Sequence, residues 1–162
     1  MRINIRPAEI TDAAAIFGIL QALEWFPHLK SDAAAASEQM VCHLNACLAD
    51  NSHSVYVAEQ IGEQDTEQAD TKIVGYAAVH WLPYLLLPAP EGFISELFVD
   101  QNHRGEGIGS LLLAAIQAEA KARGCSRLML VNSRERESYQ RQFYQKQGWI
   151  ERENIANFIY KL

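Results

Sequence analysis

The sequence predicts an α/β fold of the α+β sandwich type. It reads as a single domain, residues 1–162, whose central mixed, largely antiparallel sheet has about seven strands, with helices on both faces. Length carries part of this, because 162 residues suit one hydrophobic core and leave little room for two. Composition carries another part, since 49% hydrophobic and 21% charged residues are the proportions of a folded chain. The order of periodicities carries the rest. Strand-like and helix-like patterns follow one another as β-α-α-β-β-β-α-β-α-β-β, without an internal repeat or a linker.

The first strand is the alternating run Arg2 to Arg6, stopped by Pro7. Thr11 or Asp12 can cap a helix whose apolar face is Ile16, Phe17, Ile19, Leu20 and Leu23, and Pro27 ends it. A second helix, about Ala33 to Ala49, places Met40, Val41, Leu44 and Leu48 on one side. Asn51 and Ser52 turn the chain into the strand Ser54 to Glu59, which forms a hairpin with Ile73 to Leu82 across the acidic segment Gln60 to Thr71. Pro83, Pro88 and Pro90 frame an apolar loop, Tyr84-Leu85-Leu86-Leu87, that suits a packed wall or an interface better than open solvent. The strand Phe93 to Val99 then enters a glycine-rich turn. The helix that follows repeats Ile108, Leu111, Leu112, Ala115, Ile116 and Ala122, and stops at Arg123-Gly124. A strand (Arg127 to Val131), a helix (about Glu135 to Lys146) and C-terminal strands around Trp149 and Phe158 complete the reading.

Charge and cysteine usage exclude several classes. The balance of 14 Lys+Arg against 20 Asp+Glu, net −6, argues against nucleic acid or an anionic membrane as partner. Much of that acidity is local to Glu59, Glu63, Asp65, Glu67 and Asp70. Cys42, Cys47 and Cys125 are odd in number and form no CxxC pair, so neither a disulfide framework nor a cysteine zinc site is expected. The histidines lack metal-ligand spacing, and no metal is expected. No apolar run approaches the ~18 residues of a membrane helix, and Arg6, Glu9 and Asp12 interrupt any signal peptide. A reduced, cytoplasmic protein is the expectation.

The informative segment runs from Val99 to Ser110. Gly105, Gly107 and Gly109 lie between a strand and an amphipathic helix, so the backbone can turn tightly and approach a ligand closely. Amides at the positive end of a helix dipole bind phosphate, and Arg104 adds a bidentate donor. The segment is therefore an anion site for a phosphorylated cofactor. No lysine follows the glycines, as a Walker A loop needs, and Ser110 stands where a dinucleotide fingerprint needs its third glycine. A nucleotide-binding switch is accordingly a poor reading.

These residues resemble a known family. Arg104-Gly-Glu-Gly107-Ile-Gly109 is similar to the RxxGxG acetyl-CoA signature of the GNAT family of N-acetyltransferases, with SELFVD before it and SLLLAAI after it in the family's usual context. Downstream, Leu128 to Asn132 and then SRERESYQRQFYQKQGW resemble the family's strand, helix and FYxxxGF ending. The resemblance spans about Phe93 to Trp149, and the N-terminal RPAEITDAAAIFGIL is also typical.

The resemblance implies that strands Phe93–Val99 and Arg127–Val131 splay apart around pantetheine. The backbone near Leu97, Phe98 and Val99 would pair with pantetheine amides, and Arg104, Gly105, Glu106, Gly107, Ile108, Gly109 and Ser110 would hold the pyrophosphate. Asn132 and Tyr139 would line the cofactor tail, and Tyr144 would lie near the thioester sulfur. Ser138 departs from the small alanine that many relatives carry.

Tyr144 is the candidate general acid for the departing thiolate, with a core aromatic as the bland alternative. Glu96 could deprotonate an amine, bind its charge, or pair with a structural base; alternation sets it with Phe98 and opposite Ser95, Leu97 and Val99. His80 and His103 read first as structural or solvated side chains, and Cys125 has no histidine partner for covalent catalysis. The expected function is acetyl transfer from acetyl-CoA to a primary amine of a small molecule, with direct attack in a ternary complex. A protein N-terminus or lysine is the second acceptor, and a non-catalytic acyl-CoA-binding module is the rival. A homodimer through Tyr84–Leu87 is a further expectation.

Overall fold

The computed structural model describes residues 2–62 and 71–162. The acidic hairpin tip therefore lies mostly outside the described residues. One sheet has five strands in chain order: β1 (Arg2–Pro7), β2 (His53–Ile61), β3 (Thr71–Leu82), β4 (Glu91–Val99) and β5 (Arg127–Leu130). The first four pair antiparallel, and β5 joins β4 in parallel. Helices α1 (Ala13–Ala22), α2 (His28–Ser31), α3 (Ala33–Leu48), α4 (Ile108–Ala122), α5 (Glu137–Gln140) and α6 (Phe143–Lys146) complete the described elements.

The chain divides into two compact units, the first ending at Leu130 and the second Val131–Leu162. Within the first, alternation along β2 sends Val55 and Val57 into a core with Ile16, Ile19 and Leu20 of α1, Leu29 of α2 and Leu44 of α3. Tyr76 of β3 joins this core with 1% of its surface exposed. The intervening residues face α4: Ser54 and Tyr56 donate hydroxyl hydrogen bonds to Glu119 at 2.8 and 2.9 Å, and Trp81 donates its indole N–H to Ser54 at 2.9 Å. Helices thus cover both faces of the sheet, as expected. Ile108, Leu112, Leu113 and Ile116 are the buried stripe of α4, whereas Leu111 is exposed. Gly75 permits a close approach between β3, β4 and α4: a Cβ there would stand 3.1 Å from the Phe98 carbonyl and 3.3 Å from Ile108.

Two ties position the ends of the sheet. Arg6 on β1 donates to both carboxylate oxygens of Asp12, at 2.8 and 2.9 Å, while the Glu9 amide donates to the same group at 2.8 Å. Asp12 is therefore occupied as a latch between β1 and α1 and caps the preceding 3-10 turn. At the other end, fully buried Glu91 accepts from Arg127 where the β4–β5 pairing begins.

The seven-stranded expectation is corrected to five. Residues around Trp149 and Phe158 form no strand, because a strand needs a ladder partner and none pairs with them among the described residues. Ile150, Phe158, Ile159 and Tyr160 are accordingly exposed. The single helix expected over Glu135 to Lys146 is two short ones, since Gln142 adopts φ +56°, a left-handed conformation that a helix cannot continue through.

Candidate active site

Between β4 and α4 the chain makes a 3-10 turn, Gln101–His103, capped by the Asp100 carboxylate, which accepts from the Asn102 amide at 2.8 Å. His103 Nδ1 lies 3.2 Å from the same carboxylate, so His103 is anchored rather than solvated. Gly105 and Gly107 then take φ +85° and +82°, and a Cβ on either would meet nothing within 4 Å. The glycines serve the turn and an open approach, not tight packing. Gly107 is the N-cap of α4, and the first intrahelical bond runs from the Ser110 amide to the Gly107 carbonyl at 3.0 Å. The amides of Ile108 and Gly109 precede that bond, at the positive end of a 15-residue helix. Gly109 lies in the first helical turn rather than in the loop. Arg104 and Glu106 are exposed, while the Ile108 side chain is buried and leaves its amide as its offering.

Upstream of this cradle, β5 pairs with β4 only over Glu91–Ile94, against Arg127–Leu130. From Ser95 to Val99 that edge of β4 has no ladder partner among the described residues, so the amides and carbonyls around Leu97, Phe98 and Val99 can pair with an extended ligand. The register breaks here too. Ala78 faces Glu96 and Val79 faces Ile94, which leaves Ser95 as a bulge residue. The expected alternation is overturned at this point: Ser95 Oγ lies 2.9 Å from His80 Nε2, so Ser95 sits with Glu96 on the α1–α3 side.

Glu96 accepts a hydrogen bond from the Tyr76 hydroxyl at 2.8 Å. It satisfies a buried phenol with one oxygen and is otherwise exposed. Burial, then the charge of Glu96, drives the Tyr76 phenol far up, so it stays protonated. Phe98 stacks edge-on with Trp25 at 5.9 Å, and Trp25 with Phe26 at 6.5 Å, an aromatic wall beside the carboxylate. Glu24, at φ +59° after α1, turns the chain that carries it. Neither Ser95 nor Trp25 stood out in the sequence, because a bulge and a loop conformation have no periodic signal.

The second unit holds the remaining candidates. Ser138 donates to Asn132 Oδ1 at 3.2 Å, and Asn132 Nδ2 is buried without a partner among the described residues. Tyr139 gives its hydroxyl to Glu151 at 2.9 Å, and Arg134 donates to the same carboxylate at 2.7 Å. Tyr144 stacks on Phe143 at 4.9 Å and Trp149 at 6.0 Å. Burial raises its phenol against the opposing pull of Arg141, so it carries its proton at neutral pH. Burial likewise raises Cys47 and Cys125, which makes them poor nucleophiles.

Among the described residues no cluster of three His, Cys, Asp or Glu could hold a metal, and no helix is long and apolar enough to cross a membrane. A family model described as the acetyltransferase (GNAT) family matches residues 19–149. The chain belongs to the GNAT acetyltransferase family. No curated protein matches it significantly.

Solved structures share the GNAT fold. Glucosamine-6-phosphate N-acetyltransferase from Arabidopsis thaliana superposes with a TM-score of 0.74 at 20% identity, covering 99% of this chain and 100% of its own. A transcriptional regulator from Bacillus halodurans gives 0.74 at 22%, covering 99% and 100%. An aminoglycoside acetyltransferase from an uncultured soil metagenomic sample gives 0.72 at 23%, covering 99% and 96%. Those names differ in function, so the shared fold leaves the acceptor to be argued from this chain's own site.

Proposed function

We propose that this chain, working as one domain, transfers the acetyl group of acetyl-CoA to a primary amine on a small molecule. One observation carries the reading: the left-handed Gly105–Gly107 turn opens onto the N-terminus of α4 directly after a β4 edge that β5 leaves unpaired. A pyrophosphate fits the first feature and an extended amide chain fits the second. The residues present thus suit coenzyme A, with Arg104 to Ser110 on the pyrophosphate and Leu97 to Val99 pairing along pantetheine.

In this reading Glu96 and the Trp25–Phe98 wall receive the acceptor, the carboxylate holding its ammonium charge and the rings its apolar part. An amide N–H near Phe98 stabilises the oxygen that gains charge as the neutral amine adds to the thioester. Tyr144 gives its proton to the departing thiolate, and Asn132 and Tyr139 line the cofactor tail. These three assignments follow the family's motif. The glucosamine-6-phosphate and aminoglycoside enzymes named above support a small-molecule acceptor. The exposed Leu85 and Leu86 support a homodimer through the Tyr84–Leu87 loop.

The test is a screen of small amines with acetyl-CoA, followed by free thiol and by product mass. Thiol release that depends on an amine, with the acetyl group found on that amine, is the expected result. Slow hydrolysis that no amine accelerates would favour an acyl-CoA-binding module instead.

A further inference from the structure

The acceptor's ammonium proton needs a group to receive it, and Glu96 is already engaged with Tyr76. We propose that Ser95 and His80 form a proton relay that deprotonates the acceptor amine, with Ser95 as the atom that meets it. The inference rests on the acetyl-transfer reading. Ser95 is the bulge residue of β4, the first residue beyond the last β4–β5 pair at Ile94, and it is exposed beside Glu96. Its hydroxyl is 2.9 Å from His80 Nε2. Behind His80, the His53 ring lies at 4.6 Å between centroids, and His53 Nδ1 is 2.8 Å from Ser52 Oγ, which donates to Asp50 at 2.5 Å. A hydroxyl and an imidazole thus lead from the open edge of β4 into a second imidazole and a carboxylate. Ser95 is exposed and could be satisfied by water, so stability does not require its bond to the half-buried His80.

Burial, then the neighbouring His53, pulls the His80 imidazole below its ordinary value, against the opposite effect of Glu96. It is therefore uncharged at neutral pH and able to accept. The groups facing it are His53 from β2 and Glu96 from β4; Asp50, after α3, faces His53, and Cys47 of α3 faces Glu96 and Asp50. The step is one N–H bond broken in the ammonium and one O–H bond formed at Ser95, while the original Ser95 proton moves to His80 Nε2. The positive charge passes from the amine to the imidazole, and the amine keeps its lone pair for the thioester carbon. His80 then returns a proton to water.

Two measurements test this. In the cofactor-free protein, nitrogen NMR of the His80 ring at neutral pH is expected to show Nδ1 protonated and Nε2 bare; protonated Nε2 would mean that His80 donates to Ser95, and would overturn the relay. The second compares benzylamine, an ammonium at neutral pH, with aniline, which is already neutral. His80→Gln and Ser95→Ala are each expected to slow transfer to benzylamine by about 10²-fold or more while leaving aniline within a few-fold. The acid limb of the benzylamine pH profile should move up to the titration of the amine itself in His80→Gln, because only amine already deprotonated in solution can then react. Equal losses on both amines would contradict the relay alone. Failure of the wild type to acetylate these amines or any amine of the screen above would contradict the acetyl-transfer reading, and the relay with it.

Discussion

Tyr144 stacks between Phe143 and Trp149, so its ring and its hydroxyl can be tested apart. Tyr144→Phe keeps the stack and removes the proton. As general acid its loss should lower kcat by roughly 10²–10⁴-fold, and by less with a donor whose leaving thiol is more acidic. A packing role would leave kcat within a few-fold and show, if anywhere, in the melting temperature, since the ring contacts are kept. Gly107 gives a second test at this scale. Gly107→Val forces a branched residue to φ +82° and sets methyl groups where a phosphate must approach, so the Kd for CoA should rise by about tenfold or more. Gly124→Val, at φ +68° after α4 and equally open, imposes similar strain away from the loop. It should leave CoA affinity unchanged in a calorimetric titration. Equal effects would make backbone strain, not phosphate approach, the cause. The glycine turn before α4 was legible because it depends on residue type and spacing. Ser95, the hydrogen bond between Ser138 and Asn132, and the anchoring of His103 were not, because each depends on a partner brought in by the fold.

The legible elements are those with a strong period and clear stops. α4 runs Ile108–Ala122 as expected, and Gly124 at φ +68° ends it, with the Cys125 amide returning to the Ala120 carbonyl at 2.9 Å. The broken helix after β5 was illegible because Gln142 is no usual breaker, and the absent C-terminal strands because alternation supplies a face but no partner. Asp12 illustrates a third limit: its position suggested a helix cap, whereas Arg6 makes it a tie between β1 and α1. Burial by itself would raise the Asp12 carboxyl; the Arg6 guanidinium and the Glu9 amide outweigh it and hold the group below its ordinary value. A carboxyl depressed on folding adds stability that is full above its unfolded pKa, about 3.9, and is lost as pH falls through the lower folded value. Asp12→Asn should therefore cost about 3 kcal/mol near neutral pH and flatten the fall in melting temperature between about pH 5 and pH 2. Parallel pH profiles of variant and wild type would show that the tie contributes nothing.

At the scale of the molecule, the family and a mixed, largely antiparallel sheet were readable from two motifs in order, while the strand count, the acceptor and the assembly were not. Trp25 and Glu96, proposed above to receive the acceptor, come from a loop and a bulged strand, whose chemistry no fixed spacing announces. Leu85 and Leu86 lie in open solvent on the isolated chain, and an interface would explain them. Leu86→Asp is expected to shift the mass by light scattering from dimer to monomer; a wild-type monomer at micromolar concentration would remove that reading. The central claim is acetyl transfer through the Gly105–Gly107 cradle and the open edge of β4. It is tested most directly by mass spectrometry of a small-amine panel incubated with acetyl-CoA and the wild-type protein, beside Gly107→Val. The account predicts one acetyl group gained by at least one amine, at a rate that Gly107→Val reduces and added acetyl-CoA restores. An amine acetylated equally well by Gly107→Val at limiting acetyl-CoA, or no amine acetylated by a wild type that binds CoA, would contradict it.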